Sequence, residues 1–490
     1  MRAHLLLLLV GVSFAAAPRY DQPYRPQFHF SPREHWTNDP NGLVYFEGEY
    51  HLFFQYNPFG DEWGHMSWGH AVSRDLLHWK QLPVAIPEGG GVMIFTGSTV
   101  IDQRNTSGFC TDGKPCMVAV YTGHTPERPG HAALQTQNLA YSNDRGRTWT
   151  KYRRNPVLNL NLTDFRDPKV FWSSRSKQWV MVVSLPNDHK VRFYGSDDLK
   201  DWKLLSQFGP AGATGGQWEC PELFELPVDG HKGETRWILK VGLNPGALQG
   251  GSGEQYFVGN FDGAQFTNEN PPSSTLWTDY GKDCYCALTF NNLPSGQPPV
   301  MLGWMDNWQY AAKLPTSPWR GQMTFPRSLS LRETPEGIRL FQEPIAKIAS
   351  LERPASETHT FRLRSEMHLG DAQEIGWRLL SGGDNYTLIA YDRRKAALVI
   401  DRTHSGLTGF SKDFPGRIEA PLKLAGGILR LDILVDRCSV EVFADGGRVT
   451  STNLVFPPPG ANGMRPYALG GAAGTVKATV NDIESIWPVR

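Results

Sequence analysis

Short runs that are apolar, or in which apolar and polar residues alternate, cover most of the chain from Phe28 onward, with glycine, proline, asparagine and aspartate between them. Examples are the runs 43–46, 51–56 and 179–183. A period of two predicts half-buried β-strands, and the intervening turn residues predict antiparallel hairpins. The pattern therefore predicts an all-β protein.

A weak internal repeat is carried by three Ser-x-Asp sequences, each followed by a tryptophan, and by a looser fourth copy at 261–266. Its aspartates, Asp75, Asp144, Asp198 and Asp262, are separated by 69, 54 and 64 residues. Such intervals fit one four-stranded blade of a β-propeller per repeat. At roughly 62 residues per repeat, the stretch 28–340 predicts five blades. We interpret the repeated residues as hairpin turns with a packing tryptophan.

The alternation weakens at 341–355, which we predict to be a linker containing one helical turn. It resumes afterwards, for example at 386–391 and 438–443, where the second run ends at a glycine-containing turn. Residues 356–490 are long enough for a two-sheet β-sandwich. We therefore expect an all-β chain, a five-bladed β-propeller followed by a C-terminal β-sandwich.

Residues 1–17 have the order of a secretory signal peptide: a basic start, an apolar run from Leu5 and small residues at 15–17. The apolar run is shorter than the roughly 20 residues that cross a bilayer. We therefore expect a secreted, soluble protein, which would be periplasmic if the source is a bacterium. No membrane partner is expected, and the sequence does not indicate an oligomeric state.

Charge and cysteine content narrow the functional classes. The chain has 49 Lys and Arg and 49 Asp and Glu, so it has no basic excess to bind a phosphate backbone. None of the six cysteines has zinc-site spacing, and no metal is expected. Cys110 and Cys116 flank a turn, which leaves two alternatives open: a disulfide-closed hairpin loop, or two free thiols.

Three acidic residues have unusual neighbours. Asp39 and Asp167 each precede a proline directly, and Glu219 lies two residues before one. Taken singly, each is explained by ordinary turn chemistry in solvent. They fall in different repeats, however, and the inner strands of a propeller face one central channel. The fold would thus bring them into one pocket.

Aromatic and polar residues around these acids suit a sugar, since planar rings and hydroxyl-binding groups occur together. The candidates are Trp36, Trp63, Trp68, Phe95, Trp218 and Trp304, with Asn38, Gln55, Ser98 and Arg166.

Cleavage of a glycosidic bond needs one ionised carboxylate and one proton-carrying carboxylic acid. Glu219, between Trp218 and Cys220, has apolar neighbours that would raise its pKa, so we expect it to be the proton donor. Asp39 should remain ionised and act as the nucleophile. Asp167, kept charged by Arg166, would bind hydroxyls and stabilise positive charge in the transition state.

The chain resembles glycoside hydrolase family 32, the invertases, inulinases and levanases, from Phe28 to its end. The matching blocks are 36–42, 54–56, 68–70, 95–98, 166–168, 219–221 and 304–308. The resemblance implies a five-bladed propeller followed by a β-sandwich, with Asp39 as nucleophile, Asp167 as transition-state stabiliser and Glu219 as acid/base. It implies fructose binding by Asn38, Gln55, Trp63, Phe95, Ser98 and Arg166, and places Asp283 and Tyr285 near the site. No metal or organic cofactor is implied.

This chain departs from the family pattern at a few positions. His65 replaces a common asparagine, and Cys284 and Cys286 stand where other apolar residues are usual. The block 304–308 and the segment 315–320 resemble microbial exo-acting enzymes. We therefore expect release of single fructose units from inulin, levan or sucrose. Two alternatives are a fructosyltransferase of the same fold and a non-catalytic carbohydrate-binding propeller.

Overall fold

The computed structural model describes residues 20–356 and 359–488. The predicted signal peptide, residues 1–17, lies outside the described residues. Nearly all regular structure is β-strand, which confirms the all-β prediction. None of the helices in the described part of the chain is long and apolar enough to cross a lipid bilayer.

The first three blades are separate antiparallel sheets. Their strands are β1 (His35–Phe46), β2 (Glu49–Tyr56), β3 (Ser67–Ser73) and β4 (Lys80–Ile86); β5 (Met93–Asp102), β6 (Cys116–Thr125), β7 (Leu134–Ser142), β8 (Thr150–Lys151) and β9 (Leu158–Leu162); and β10 (Arg166–Ser173), β11 (Gln178–Leu185), β12 (Lys190–Ser196) and β13 (Lys203–Phe208).

The fourth and fifth blades are joined by backbone pairing at a single position, Val228 with Leu331. Their strands are β14 (Gln217–Val228), β15 (His231–Asn244), β16 (Gly253–Phe261), β17 (Phe266–Asn268) and β18 (Leu276–Trp277); and β19 (Tyr285–Thr289), β20 (Val300–Trp304), β21 (Trp319–Arg320), β22 (Arg327–Arg332) and β23 (Arg339–Pro344). β21 pairs in parallel with β1 of the first blade, which helps to close the ring.

The innermost strands of the five blades, β1, β5, β10, β14 and β19, contact one another in a closed ring. These strands are almost entirely buried. The ring defines the central channel, and side chains from all five blades can meet there.

The repeated aspartates close the turn before the last strand in four blades, which confirms the interpretation of the repeat. Asp75 Oδ1, for example, accepts hydrogen bonds from the backbone N–H groups of Leu77 and His78. Asp198 Oδ1 does the same for Lys200 and Asp201. The tryptophans after three of these turns donate their indole N–H to a backbone carbonyl; they are Trp79, Trp149 and Trp202.

The last propeller strand, β23, extends to Pro344, so the segment 341–355 begins inside a blade and not in a linker. A 3₁₀ turn, Ala346–Ser350, follows it. The first strand of the next unit is already present at Glu352–Pro354. Ile345, Ile348 and Leu351 of this segment are buried in an apolar core that they share with propeller residues.

The C-terminal unit consists of a six-stranded and a five-stranded antiparallel sheet with a shared apolar core. Its strands are β24 (Glu352–Pro354), β25 (Phe361–His368), β26 (Glu374–Gly382), β27 (Asn385–Asp392), β28 (Ala397–Asp401), β29 (Arg417–Pro421), β30 (Ile428–Asp436), β31 (Ser439–Ala444), β32 (Val449–Leu454), β33 (Gly463–Leu469) and β34 (Val476–Ile483). The short 3₁₀ turns of the chain are Pro186–Asp188, Ala311–Lys313, Ala346–Ser350 and Ala425–Gly427.

Candidate active site

Asp39, Asp167 and Glu219 lie on the inner strands β1, β10 and β14 and line one cavity of about 380 Å³. Each lies at an irregularity of its strand, where the pairing register shifts. Proline cannot donate to the ladder, so the prolines that follow these acids favour a bulge. A bulge turns a side chain away from its normal direction. The prolines next to the three acids thus favour the bulges that direct these side chains into the cavity.

The wall of the cavity contains most of the residues predicted from the sequence. They are Asn38, Asp39, Gln55, Trp63, Phe95, Arg166, Asp167 and Glu219. Trp63 is half exposed at the rim, and its ring contacts Phe95 edge-on.

Five further wall residues, Thr96, His124, Gln135, Asn244 and Trp308, were not predicted. Thr96 and Trp308 belong to the motif blocks 95–98 and 304–308, so the sequence carried a signal for them. The other three lie outside every recognised block, and only the fold places them at the cavity.

Trp36 and Trp304 are buried behind the cavity wall and do not line it. Trp36 donates its indole N–H to Asn38 Oδ1 at 2.9 Å, which fixes the orientation of that amide. The ring of Trp304 packs against those of Trp36 and Trp308, with centroids 6.2 and 4.8 Å away. Both tryptophans therefore support side chains that line the cavity.

Ser98 and Asp283 were predicted as substrate-binding residues, but their polar atoms are engaged elsewhere. Ser98 Oγ donates to the carbonyl of Pro168 and accepts from the N–H of Val170, both at 2.9 Å. It thereby joins β5 to β10. Asp283 is fully buried and forms an ion pair with Arg402 of the β-sandwich at 2.5 Å. Neither side chain lines the cavity.

The pKa of Asp39 is raised, whereas the sequence predicted a carboxyl group that remains ionised. Burial, with a further contribution from the nearby charge of Glu219, raises the pKa of Asp39 to about 7. Thr96 donates a hydrogen bond of 2.6 Å to Oδ2, but Oδ1 has no hydrogen-bond partner among the described residues. A carboxylate with one strong donor is not held ionised against the cost of desolvation.

Asp167 is also buried, and burial raises its pKa to about 7, although the charge of Arg166 opposes the shift. The charges of Glu219 and Asp39 add to the rise. The backbone N–H of Cys220 donates to Oδ2 at 2.9 Å. Asp39 and Asp167 therefore retain their protons up to near neutral pH.

The charge of Arg166 lowers the pKa of Asp167, as predicted, but burial outweighs it, and the guanidinium forms its hydrogen bond with Glu219. Its Nε donates to Glu219 Oε1 at 2.9 Å, and its Nη1 donates to Asp164 Oδ1 at 2.7 Å. The Tyr285 hydroxyl donates to the other oxygen of Glu219. Arg166 and Tyr285 therefore fix both oxygens of this carboxyl.

The apolar surroundings predicted for Glu219 are also absent. Trp218 and Cys220 are buried in two different apolar cores. Successive strand residues point to opposite faces, so sequence neighbours do not surround the carboxyl. Glu219 instead faces a polar cavity with two donors.

The arrangement suits acid/base and nucleophilic chemistry on a sugar. Asp39 and Glu219 face the same cavity, and each can exchange a proton or attack an electrophilic carbon. Aromatic side chains at the rim offer flat apolar surfaces to a sugar ring.

Comparisons with family models, with curated proteins and with solved structures agree with one another. The models for the N-terminal and C-terminal domains of glycosyl hydrolases family 32 match residues 29–344 and 329–485. A levanase of Bacillus subtilis is 44% identical over 99% of this chain and 74% of its own length. An extracellular exo-inulinase of Aspergillus awamori is 42% identical over 99% of both chains. The crystal structure of exo-inulinase from Aspergillus awamori superimposes with a TM-score of 0.91, at 42% identity, over 96% of this chain and 100% of that one. The chain thus belongs to glycosyl hydrolase family 32 and is a glycosidase.

Proposed function

We propose that the protein releases terminal β-D-fructofuranosyl units from the non-reducing ends of fructans and from sucrose. The observation that carries the proposal is the convergence of Asp39, Asp167 and Glu219 on one sugar-sized cavity. The names of its relatives, a levanase and an exo-inulinase, support the substrate class. So does a fructofuranosidase from Schwanniomyces occidentalis, 32% identical, whose structure is complexed with fructose.

In the proposed reaction, Asp39 in its ionised form attacks the anomeric carbon while Glu219 gives its proton to the departing oxygen. A covalent fructosyl-enzyme forms, and the leaving sugar departs. Glu219 then removes a proton from water, which attacks the same carbon and frees Asp39. Two displacements at one carbon give net retention of configuration.

Asp167 stabilises the positive charge that develops on the fructosyl ring between these two displacements. Arg166 and Tyr285 hold the two oxygens of Glu219 in place. Thr96 holds Oδ2 of Asp39 through its hydroxyl. The Asn38 amide, oriented by Trp36, lies beside Asp39 and contributes to fructose binding together with Gln55.

Exo action is supported by the names of the relatives, which include extracellular exo-inulinases from Aspergillus.

An extracellular location is proposed as well. Relatives from Aspergillus are named extracellular exo-inulinases. The predicted signal peptide at residues 1–17 agrees with this location, and extracellular polymers are the substrates that such an enzyme would meet.

The proposal is tested with Asp39→Ala and Glu219→Ala, using the exposed Asp197→Ala as a matched control. Removal of the nucleophile or the acid/base should lower fructose release from sucrose and inulin by about 10³-fold or more. Asp197→Ala should retain the wild-type rate, and circular dichroism should show all three variants folded.

Products from inulin, levan and sucrose are followed over time by anion-exchange chromatography. Fructose alone is the expected early product from the fructans. Release at the wild-type rate by either alanine variant would overturn the assignment. Early oligosaccharides from inulin would show endo action, and trisaccharide formed faster than free fructose at high sucrose would assign a transferase.

A further inference from the structure

A disulfide bond joins the strand that carries Glu219 to the strand that carries Tyr285. Cys220 of β14 and Cys286 of β19 are bonded, with a Cα–Cα distance of 5.3 Å, and both are buried. They directly follow Glu219 and Tyr285, the two residues whose side chains are hydrogen-bonded. The bond thus lies one residue away from this contact on both strands.

Cys220 also contacts the other two acids. Its backbone N–H donates to Asp167 Oδ2 at 2.9 Å, and its Sγ lies 3.8 Å from Asp39 Oδ2. One cysteine therefore touches the proposed nucleophile, the proposed stabiliser and, through the chain, the proposed acid/base.

Regular backbone pairing does not support this contact, although the N–H and the hydroxyl of Thr289 on β19 donate to Glu222 Oε1 of β14 nearby. Both strands are irregular here, with register shifts between Glu219 and Glu222 and between Tyr285 and Leu288. The pairing between these blades that the structure describes is distant along the chain, at Val228 and Leu331. Cys220 and Cys286 have φ values of 46° and 45°, which non-glycine residues adopt at a cost. A covalent link is therefore well placed to maintain the geometry.

We propose that the Cys220–Cys286 disulfide is a positioning element that holds Glu219 against the Tyr285 hydroxyl for proton transfer to the leaving group. The proposal depends on the role assigned to Glu219 under the proposed function. It predicts a defect in leaving-group protonation when the bond is absent, with substrate binding largely retained.

The presence of the bond is measured first, independently of activity. The denatured but unreduced protein should react with an alkylating reagent at two of its six cysteines, Cys284 and Cys438. Peptide mapping should recover one linked pair that contains Cys220 and Cys286. Recovery of Cys220 and Cys286 as alkylated thiols would overturn the proposal.

The bond is then removed by replacing both cysteines, in Cys220→Ala/Cys286→Ala. Replacement of Cys286 alone would leave the Cys220 thiol 3.8 Å from Asp39 and introduce a new donor to the nucleophile. The matched control is Cys110→Ala/Cys116→Ala, which removes the disulfide of a surface loop outside the cavity.

The readout compares two leaving groups. Sucrose needs a proton on its departing oxygen, whereas para-nitrophenyl β-D-fructofuranoside has a leaving group that departs with little assistance. In the double variant, kcat for sucrose should fall about tenfold or more, part of the 10²–10⁴-fold that acid catalysis supplies. KM for sucrose should change less than about threefold, and so should kcat/KM for the aryl fructoside, which reports only the first displacement.

Tyr285→Phe is the second variant, which keeps the disulfide and removes only the hydroxyl. It should show the same dependence on the leaving group, and its effect should not add to that of the double alanine variant. An equal loss for both leaving groups, or no loss, in the double alanine variant or in Tyr285→Phe would overturn the proposal. A wild-type protein that releases no fructose would instead refute the proposed function.

Discussion

Asp39 and Asp167 are buried carboxyl groups that the folded protein must desolvate. Asp39 Oδ1 has no hydrogen-bond partner among the described residues, and burial raises the pKa of both groups to about 7. An acid with a raised pKa binds its proton more tightly in the folded state. Ionisation of these two groups thus destabilises the fold.

Asp39→Asn should therefore stabilise the protein while abolishing activity. The loss of folding stability caused by ionised Asp39 is absent below about pH 4. It grows as the pH rises from the ordinary pKa of 3.8 to about 7 and is complete above that. We expect the melting temperature of Asp39→Asn to exceed that of the wild type by about 2 °C or more at pH 8. The difference should be smaller at pH 4.

Differential scanning calorimetry at the two pH values checks this, with the exposed Asp197→Asn as control. A stability difference that is the same at both pH values, or that favours the wild type at pH 8, would contradict the raised pKa.

At the level of residues, the sequence allowed the three acids to be predicted but not their partners. The proline after each acid is a feature of neighbouring residues, and such a feature can be recognised without knowledge of the fold. Arg166 is adjacent to Asp167 in the chain, yet it bonds to Glu219, 53 positions away. Asp283 was predicted to lie near the site, but its partner Arg402 lies in the other unit.

At the level of elements, the N-terminal segment before β1 is bound to β30 and β31 of the β-sandwich through His29. Its two ring nitrogens lie 2.8 Å from Asp436 and 2.9 Å from Glu441, and all three side chains are fully buried. Burial alone would lower the pKa of His29, but the two carboxylates outweigh it and raise the pKa to about 9.

His29→Gln should weaken this attachment in a pH-dependent way. The extra stability from protonated His29 is fully present below its ordinary pKa of 6.5 and is lost as the pH rises through about 9. We expect His29→Gln to cost about 3 kcal/mol more at pH 6 than at pH 9.5. Urea unfolding of both proteins at both pH values measures the difference, and a pH-independent cost would contradict the charged state of His29.

Turns were predicted better than the segment between the two units. An aspartate that accepts backbone N–H groups two and three residues later is a local motif, so the repeat could be interpreted before the fold was known. The segment 341–355 has weak alternation because its residues pack against two units. Burial from two directions removes the alternation on which the prediction depended.

At the level of the whole molecule, buried ion pairs join the propeller to the β-sandwich. Arg402 bonds to Asp283 and to Tyr310, while Arg327 bonds to Asp279 and to Glu441. A buried pair contributes little net stability, but removing one partner leaves an uncompensated charge. The two units should therefore unfold together.

Arg402→Met should cost about 3–5 kcal/mol, because Asp283 is left as an unpaired buried carboxylate. Arg402→Met/Asp283→Asn should recover part of this loss. It should also retain kcat/KM for sucrose within about twofold, since Asp283 does not line the cavity. Chemical unfolding and steady-state kinetics check both points. A folded double variant without activity would return Asp283 to the substrate-binding residues.

The number of blades could be predicted because each repeat corresponds to one blade, so the length of the stretch divided by the repeat interval gives their number. The Cys220–Cys286 bond could not, since 66 residues separate its ends and only the closed ring brings β14 and β19 together. Cys110 and Cys116, six residues apart, form the disulfide that the intervening turn suggested.

The most direct measurement is covalent capture of the fructosyl-enzyme. Glu219→Gln should still react with para-nitrophenyl β-D-fructofuranoside, whose leaving group needs little acid, but should hydrolyse the intermediate slowly. Mass spectrometry of rapidly quenched peptides should find one fructosyl unit on Asp39, and Asp39→Asn/Glu219→Gln should carry none. A label on Asp167, or an unlabelled enzyme whose product has inverted configuration, would contradict the assigned roles of the three acids.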